Sequence, residues 1–134
     1  MTKTELSPEL FRVIDANLNR LKEGIRVVED ILRYRDNNKQ LSTKLKHLRH
    51  LALVDNSIEL LKYRDSINDV LRESVESELQ RDTVESIFTA NFKRAQESCR
   101  VLEEIYKLHT IQKSETFKHI RYELYDIEKI VMSE

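Results

Sequence analysis

The sequence predicts an all-α protein, a helical bundle of four long helices plus a short irregular central segment. Its 134 residues include one Gly and one Pro, while 40% of positions are hydrophobic and 35% are charged. Sheet-rich and doubly wound folds need glycines in tight turns and phosphate loops, and the apolar fraction is too high for a disordered chain. A chain of this length forms one domain with a sizeable core. We therefore expect a single helical domain over residues 1–134.

The first helix is predicted to begin at Pro8. Ser7 is a typical N-cap residue, Pro8 occupies the first helical position, where no backbone N–H is needed, and Glu9 places an acid at the positive end of the helix dipole. Apolar residues then recur at steps of three and four until Asp36-Asn37-Asn38 interrupts them. They are Phe11, Ile14, Leu18, Leu21, Ile25, Val28 and Leu32. This seam is typical of a helix that packs in a bundle.

A second helix is predicted from Ser42, its expected N-cap, to about residue 62, with a kink or a break at Asp55-Asn56-Ser57. Its apolar positions are Leu45, Leu48, Leu51 or Ala52, Ile58 and Leu61. The stretch that follows, 63–82, is charged and less regular, and a short helix, a loop or both fit it.

Two more long helices are predicted in the second half of the chain. Asp82-Thr83-Val84-Glu85 offers an N-cap followed by an acid, and Ser114 is expected to open the last helix. The seam of the third helix is Phe88, Phe92, Ala95, Cys99, Leu102 and Tyr106, and that of the fourth is Phe117, Ile120, Leu124, Ile127 and Val131. Both seams keep the spacing of the first helix.

An internal repeat relates the two halves. Residues 15–31 match residues 89–105 at an offset of 74, and eight of these 17 positions are identical. The identical pairs are Ala16/Ala90, Asn17/Asn91, Arg20/Arg94, Glu23/Glu97, Arg26/Arg100, Val27/Val101, Glu29/Glu103 and Ile31/Ile105. Residues 46–49 recur at 118–121 with an offset of 72. The repeat predicts a duplicated pair of helices with approximate twofold symmetry.

The duplicated unit is predicted to cover residues 7–62 and 83–132, with 63–82 as a connector. Most of the identical residues lie outside the apolar seam, so a shared core does not explain them. One interpretation is that two copies of Asn-x-x-Arg-x-x-Glu-x-x-Arg-x-x-Glu offer guanidinium groups to phosphates and carboxylates to a cation. The other is that these charges pair with one another along the helix surface. Both stay open at this point.

Composition and motifs argue against several functions. A net charge of -1 gives no field that would recruit nucleic acid or an anionic membrane. No stretch resembles a signal peptide or a membrane span, and a single Cys forms no internal disulfide, so we expect a soluble cytoplasmic protein. The sequence also lacks the Glu-x-x-His motif of di-metal bundles, a phosphate-binding glycine loop and a Gly-x-Ser-x-Gly motif.

Two further groups of residues each allow two interpretations. Asp65 and Asp69 lie in the connector, where loop acids either bind Mg²⁺ and its waters or form turns and caps. Arg121 lies beside Tyr122 and Tyr125, and this group either stacks on a base or packs within the bundle.

Several segments match the pattern of a known family. They are Asp-Ala-Asn-Leu-Asn-Arg-x-x-Glu-Gly-x-Arg-Val-x-Glu-Asp at 15–30, Tyr63-Arg64-Asp65, Ala90-Asn-Phe-Lys-Arg-Ala-Gln-Glu with Arg100-Val-Leu-Glu-Glu, and Arg121-Tyr-Glu-Leu-Tyr-x-x-Glu-Lys. From about Ile14 to Lys129, the chain resembles the monofunctional hydroxymethylpyrimidine phosphate kinase of thiamine biosynthesis, a helical domain often fused to thiamine-phosphate synthase. At Leu71 the chain departs from that pattern, which has a glycine there.

The resemblance implies an ATP- and Mg²⁺-dependent kinase that converts 4-amino-5-hydroxymethyl-2-methylpyrimidine phosphate into its diphosphate. With that chemistry, Arg20, Arg26, Arg94 and Arg100 are expected to bind phosphates, with Asn17 and Asn91 orienting them and Arg121 contacting substrate or nucleotide. Glu23, Glu97, Asp65 and Asp69 are the candidates for Mg²⁺ or its waters. Arg20, Arg94, Asp65 and Asp69 are expected to be the catalytic set.

Two non-catalytic functions are the alternatives to this kinase. One is a helical module that docks on or stabilises thiamine-phosphate synthase, and the other is a bundle that senses a pyrimidine phosphate. A homodimer is expected in addition, because Val27, Ile31 and Tyr34 add apolar surface to helix 1 on a side away from its seam.

Overall fold

The computed structural model describes residues 5–54 and 57–133, which form helices and no strand. Helix α1 spans Pro8–Asp30 and continues into a π-helical turn, Ile31–Arg35. The remaining helices are α2 (Lys39–Leu51), α3 (Ser57–Tyr63), α4 (Glu76–Leu79), α5 (Val84–Tyr106) and α6 (Ile111–Met132). None of the described helices has the length and apolar character needed to cross a bilayer. The all-α prediction is confirmed.

The predicted second helix is present as two helices, α2 and α3. Asp55 and Asn56, where a kink or a break was expected, lie outside the described residues. Between Arg64 and Thr83, the connector consists of turns and irregular backbone apart from the single helical turn of α4. The sequence left open a short helix, a loop or both, and the stretch contains both.

Two of the predicted helix starts are correct. The Ser7 hydroxyl accepts a hydrogen bond from the Leu10 N–H, and Pro8 is the first residue of α1. Thr83 caps α5 and accepts a hydrogen bond from the Ser86 N–H, while the Ser86 hydroxyl accepts one from the Thr83 N–H. The partner in this capping box is therefore a serine, where the sequence suggested a glutamate.

The other two predicted starts are wrong. Helix α2 begins at Lys39, and its N-cap is Asn38, whose side chain accepts a hydrogen bond from the Leu41 N–H at 3.0 Å. Ser42 is therefore an internal residue of α2. Ser114 is likewise internal to α6, and its hydroxyl donates to the Glu103 carbonyl oxygen at 2.8 Å. Both serines are buried, so each marks a packed helix face and not a helix end.

Helices α1 and α5 form the centre of the bundle. They pack along each other, α6 covers α5, and α2 and α3 cover α1. The predicted seams of α1, α5 and α6 are confirmed as the core, with Ile14, Leu21, Phe92 and Phe117 each at most 1% exposed. The seam predicted for the second helix is correct in α2 but wrong in α3, where Ile58 and Leu61 are exposed and Leu60 is buried, because α3 is a separate helix whose buried face does not continue the spacing of α2. Cys99 is fully buried within this core, and burial raises the pKa of its thiol. Cys99 is therefore a neutral packing residue, as its place on the seam predicts.

Gly24 allows α1 and α5 to approach closely. A Cβ atom at this position would lie 3.0 Å from the Asn91 carbonyl oxygen and 3.4 Å from the Ala95 Cβ. The first distance is shorter than an ordinary carbon–oxygen contact, so any larger side chain would push the two helices apart.

Residues that match in the repeat also make matching contacts. The Asn17 side-chain amide donates to the Val13 carbonyl oxygen and that of Asn91 to the Ile87 carbonyl oxygen, both at 2.9 Å. Glu29 and Glu103 are both buried, and each forms two hydrogen bonds with an arginine of the next long helix. These pairs support the predicted duplication of a helix pair.

The apolar surface on which the homodimer was predicted is smaller than expected. Ile31 is half-buried and packs against the core, and Val27 is 37% exposed. Tyr34 is 67% exposed and is the one largely open member of this set. The homodimer stays a prediction.

Replacing Gly24 by valine is expected to lower the free energy of unfolding by about 1 to 3 kcal/mol, because the new side chain overpacks the contact with α5. Urea denaturation measures this change. Glu23→Val, at the neighbouring exposed position, controls for placing a β-branched residue at this point of α1 and should cost less than about 1 kcal/mol. Valine has a higher helix propensity than glycine, so a loss at Gly24 reflects overpacking. Equal losses in the two variants would show that close packing at Gly24 is not required.

Candidate functional site

Two adjoining grooves run beside α1, and Asn17 and Arg20 line both of them. The larger, here called the connector groove, has a volume of about 690 Å³ and lies between α1 and the residues that follow α3. The smaller, called the interhelix groove, has a volume of about 380 Å³ and lies between α1 and α5. Asn17 and Arg20 thus join two cavities whose other walls come from distant parts of the chain.

The interhelix groove brings together the two arginines that match in the repeat. Arg20 and Arg94 both line it and are both exposed, and neither forms an ion pair with a described residue. Lys93 adds a third cation to the lining, and Glu97 is the acidic residue among the lining residues. Three cations and one carboxylate around one cavity form a local anion-binding surface on a chain whose net charge is close to zero.

The connector groove is built by polar contacts across long stretches of sequence. Arg64 donates two hydrogen bonds of 2.7 Å to the two carboxylate oxygens of Asp15, and these bonds raise the pKa of Arg64. The Arg12 guanidinium donates to the Asp65 carbonyl oxygen at 3.3 Å. These bonds hold the start of the connector against the first half of α1 and so form the wall of the groove.

Asp65 and Asp69 line the connector groove, but both carboxylates also hold the local backbone. Asp65 accepts one hydrogen bond from the Asn68 N–H and one from the Asn68 side-chain amide, and these bonds lower the pKa of Asp65. Asp69 accepts a hydrogen bond from the Leu71 N–H at 3.0 Å. The turn-forming role that the sequence left open for both acids is therefore present, and their carboxylates still border the cavity.

The four acids predicted to serve Mg²⁺ are divided between different places. Glu97 lines the interhelix groove, and Asp65 and Asp69 line the connector groove. Glu23 is exposed on α1, and its charge contributes to the raised pKa of Arg64. Among the described residues, no three His, Cys, Asp or Glu side chains cluster closely enough to hold a metal ion. Mg²⁺ often binds through one or two carboxylates together with phosphate oxygens and waters, and two of the four predicted carboxylates, Asp65 and Asp69, border the connector groove.

Arg26 and Arg100 differ from Arg20 and Arg94, although all four follow the same repeated pattern. Arg26 pairs with Asp30 at 3.3 Å and Arg100 with Glu104 at 2.9 Å, each one turn along its own helix. These are exposed pairs of the kind that stabilise a helix by a few tenths of a kcal/mol. The structure places neither arginine in the two grooves, so the surface-pair interpretation describes Arg26 and Arg100.

The predicted ligands Asn17, Asn91 and Arg121 have structural partners. Asn17 lines both grooves, although its amide nitrogen, like that of Asn91, already donates within its own helix. Arg121 lies outside both grooves and donates to both carboxylate oxygens of buried Glu103, with 14% of its side chain exposed. Its guanidinium also lies 5.0 Å from the Tyr122 ring centroid. Arg121 therefore joins α6 to α5.

Four charged residues that help to build the grooves, Lys93, Arg12, Asp15 and Arg64, were not among the site residues predicted from the sequence. Lys93 stands where the first half has Asn19, so a search for identical positions passes over it. Arg12 precedes the repeated block. Asp15 was part of a matched segment, but nothing in the local pattern links it to Arg64, 49 residues away.

Comparison with known proteins finds one matching family and a group of curated relatives. The ThiD2 family model matches residues 12–130. A thiamine-phosphate synthase of Nostoc punctiforme (strain ATCC 29133 / PCC 73102) is 35% identical, with 97% of this chain and 37% of that protein covered. The thiamine-phosphate synthase of Prochlorococcus marinus (strain AS9601) is 37% identical, with 98% and 38% covered.

The thiamine-phosphate synthase of Thermosynechococcus vestitus is 39% identical, with 90% of this chain and 34% of that protein covered. The chain thus spans a little over a third of the length of the curated relatives it matches. No solved structure matches it significantly.

An arginine in a buried ion pair and an arginine that lines a groove are expected to respond differently to replacement by alanine. Arg121→Ala should lower the free energy of unfolding by about 3 to 5 kcal/mol, because it leaves the Glu103 carboxylate buried and unpaired. Arg20→Ala removes an exposed side chain without an ion partner and should change the free energy of unfolding by less than about 0.5 kcal/mol. Denaturant titrations of both variants test this, and comparable losses would contradict the division between structural and groove arginines.

Proposed function

Because the chain belongs to the ThiD2 family, we propose that it acts in thiamine biosynthesis as the helical module of a thiamine-phosphate synthase, joined to that enzyme or associated with it. The similarity to proteins of that name over nearly all of this chain supports the proposal. The match covers 97% of this chain but only 37% of the Nostoc punctiforme relative, so the chain corresponds to one part of that protein. The module is expected to bind a phosphorylated intermediate in the grooves beside α1.

Our finer proposal is that the module is a kinase that phosphorylates 4-amino-5-hydroxymethyl-2-methylpyrimidine phosphate. The observation that carries it is the meeting of Arg20 and Arg94 in the interhelix groove, where both guanidinium groups lack an ion partner among the described residues. Arginine binds phosphate oxygens through paired hydrogen bonds, and Lys93 adds a point charge to the same surface. Two polyanionic substrates need such a surface to come together.

The reaction requires no nucleophilic side chain. An oxygen of the acceptor phosphate attacks the γ-phosphorus of ATP, a new P–O bond forms, and the bond from that phosphorus to the β,γ-bridging oxygen breaks, so that ADP leaves. The acceptor is already an anion, so the main requirements are in-line placement and charge neutralisation. In this proposal Arg20, Arg94 and Lys93 bind the phosphates, and the connector groove provides room for the rest of a substrate.

The acids near the grooves could complete the coordination of a Mg²⁺ ion that is bound mainly by the phosphate oxygens of a substrate. Asp65 and Asp69 border the connector groove and Glu97 borders the interhelix groove, so one or two carboxylates are available on either side of Arg20. A bound Mg²⁺ would neutralise part of the phosphate charge. The turns that Asp65 and Asp69 stabilise would keep their carboxylates at the rim of the groove.

A non-catalytic module is the second candidate. It is favoured by the names of the relatives. The family pattern has glycine at the position of Leu71, but the backbone conformation there favours neither candidate. Asn37 is the one described non-glycine residue with positive φ, so Leu71 has a conformation open to any residue. A bundle that senses a pyrimidine phosphate is a variant of this candidate.

An assay of ADP formation separates the two candidates. Purified protein with ATP, Mg²⁺ and the pyrimidine monophosphate should form ADP and the pyrimidine diphosphate if the module is a kinase. A pull-down against thiamine-phosphate synthase from the same source runs in parallel. Stable complex formation without turnover would support the non-catalytic module and contradict the kinase.

Truncation of the groove arginines is expected to slow the reaction. Arg20→Ala and Arg94→Ala should each lower kcat/KM by a factor that corresponds to about 2 to 4 kcal/mol, the scale of one lost charge-assisted contact to the transition state. Arg26→Ala and Arg100→Ala are the matched controls, because they remove the same group from the same repeated pattern outside the grooves. Losses at the controls that equal those at Arg20 and Arg94 would contradict the assignment of the interhelix groove.

Glu97 provides an independent test of the metal. Glu97→Gln should raise the Mg²⁺ concentration needed for half-maximal activity, because it removes the one carboxylate that lines the interhelix groove. Glu23→Gln is the repeat-equivalent comparison. An unchanged Mg²⁺ requirement in the Glu97 variant would mean that the metal is held elsewhere.

Two further features are proposed from the sequence, a cytoplasmic location and a homodimer. The dimer gains some support from Val101, which is exposed by 36%, nearly as much as its repeat partner Val27 at 37%. Val27 and Val101 are equivalent positions on the two central helices, so a self-complementary contact could use both.

A further inference from the structure

A third cavity lies at the start of α2, away from the two grooves. This α2 cavity has a volume of about 340 Å³, is open to solvent and is bordered by Glu29 of α1, the π-helical turn, the Asn37–Asn38 loop and the first two turns of α2. It shares no lining residue with the grooves beside α1. Arg33, on its wall, follows Arg20 by 13 residues, or about 20 Å of helix.

The lining of the α2 cavity is positively charged. Arg33, Lys39 and Lys46 line it, and none of the three forms an ion pair with a described residue. The acid in the lining, Glu29, already accepts hydrogen bonds from the Arg49 guanidinium at 2.9 and 3.3 Å. Its charge is therefore compensated by Arg49, and three positive charges face the cavity without a counter-ion from the described protein.

The N-terminus of α2 adds backbone donors to these cations. The Leu41 N–H is used by the Asn38 cap and the Ser42 N–H by the Asn38 carbonyl oxygen. The N–H groups of Lys39 and Gln40 have no described acceptor. Free N–H groups and the positive end of a helix dipole together attract anions.

Ser42 is the independent sign that a ligand belongs here. The residue lines the cavity, is 7% exposed, and its buried hydroxyl oxygen has no hydrogen-bond partner among the described residues. Its counterpart in the repeat, Ser114, is equally buried but donates to the Glu103 carbonyl oxygen. A buried hydroxyl without a partner destabilises a fold, so native proteins rarely keep one unless something else completes its bonding.

The two halves differ here because the first half is longer. The repeat offset falls from 74 at Glu29/Glu103 to 72 at Ser42/Ser114, so the first half contains two more residues in this interval. The interval includes the π-helical turn Ile31–Arg35 and Asn37, whose φ is +50°. π-helical turns and left-handed non-glycine residues both cost free energy and occur frequently at functional sites.

We propose that the α2 cavity binds a phosphate or diphosphate group of a small molecule. Arg33, Lys39 and Lys46 provide the charge, and the Ser42 hydroxyl donates the hydrogen bond that its counterpart Ser114 gives to the backbone. The free N–H groups at the start of α2 complete the set of donors. This site does not depend on the proposed kinase activity, because it uses none of the residues of the two grooves.

Titration of the intact protein with inorganic phosphate and inorganic pyrophosphate at fixed ionic strength, followed by ¹⁵N–¹H NMR, tests the site. The amide signals of Lys39, Gln40 and Ser42 should shift and saturate. Lys46→Ala and Arg33→Ala should each weaken binding about tenfold or more, the effect of losing one charged contact. Lys118→Ala is the matched control, because Lys118 is the repeat counterpart of Lys46 and should leave the affinity unchanged.

Ser42→Ala and Ser114→Ala form a second matched pair. Ser42→Ala should weaken pyrophosphate binding while leaving the unliganded melting temperature equal or higher, since it removes a buried hydroxyl without a partner. Ser114→Ala should lower the melting temperature without affecting binding. These opposite signs distinguish a ligand-binding serine from a structural one.

A parallel titration with ATP separates this site from the proposed kinase site. Shifts confined to residues 17–20 and 93–97 with ATP, and to residues 37–46 with pyrophosphate, would establish two sites. If pyrophosphate produces no saturable shift around residues 37–46, or if Lys118→Ala weakens binding as much as Lys46→Ala, the proposal is wrong. Either result would leave the turnover assay and its interpretation unaffected.

Discussion

The close packing of α1 against α5 at Gly24 is the contact on which the rest of the molecule depends. With a hydrogen in place of a side chain, the backbone of α1 approaches the Asn91 carbonyl oxygen and the Ala95 methyl group. Arg20 lies one turn before Gly24 and Arg94 lies beside Ala95, so the same contact brings both guanidinium groups to one groove. Like charges repel, and the two arginines stay close because burial of the seam on either side of them outweighs a repulsion that solvent screens.

The outer helices are fixed by a different interaction, a pair of buried ion pairs. Glu29 joins α1 to α2 through Arg49, and Glu103 joins α5 to α6 through Arg121. Burying two charges costs about as much as their attraction returns, but a misaligned helix would leave a carboxylate buried and unpaired. We infer that these pairs set the register of the outer helices. The identical residues of the repeat therefore lie in two kinds of place, the glutamates in buried ion pairs and Arg20 and Arg94 in the interhelix groove.

The features that depend only on residues close in sequence were the ones that the sequence predicted correctly. The three-four spacing identified the seams of α1, α5 and α6, and Ser7-Pro8 identified a helix start, because periodicity and capping act within one or two turns. Ser42 and Ser114 were misread because a serine fits both a cap and a packed helix face, and neighbouring residues do not distinguish the two. In the site, Arg20 and Arg26 each have a glutamate three residues later, but only Arg26 has an acid, Asp30, four residues later, so the local sequence indicates its surface ion pair. That Arg20 shares a groove with Arg94 depends on the rotation of α1 relative to α5, which is a property of the whole bundle.

The two halves of the bundle share a scaffold but differ in the link between their two helices, and that difference bears on function. A symmetric pair of hairpins would present identical surfaces to unlike ligands and would not discriminate between them. The first half breaks the symmetry with two extra residues, a π-helical turn and a left-handed Asn37, and it leaves the Ser42 hydroxyl without the backbone acceptor that Ser114 retains. Each of these features weakens the fold. Together they leave a positively charged cavity beside an unbonded Ser42 hydroxyl, whereas Ser114 in the second half is bonded to the Glu103 carbonyl oxygen, and the proposed phosphate site would account for this difference.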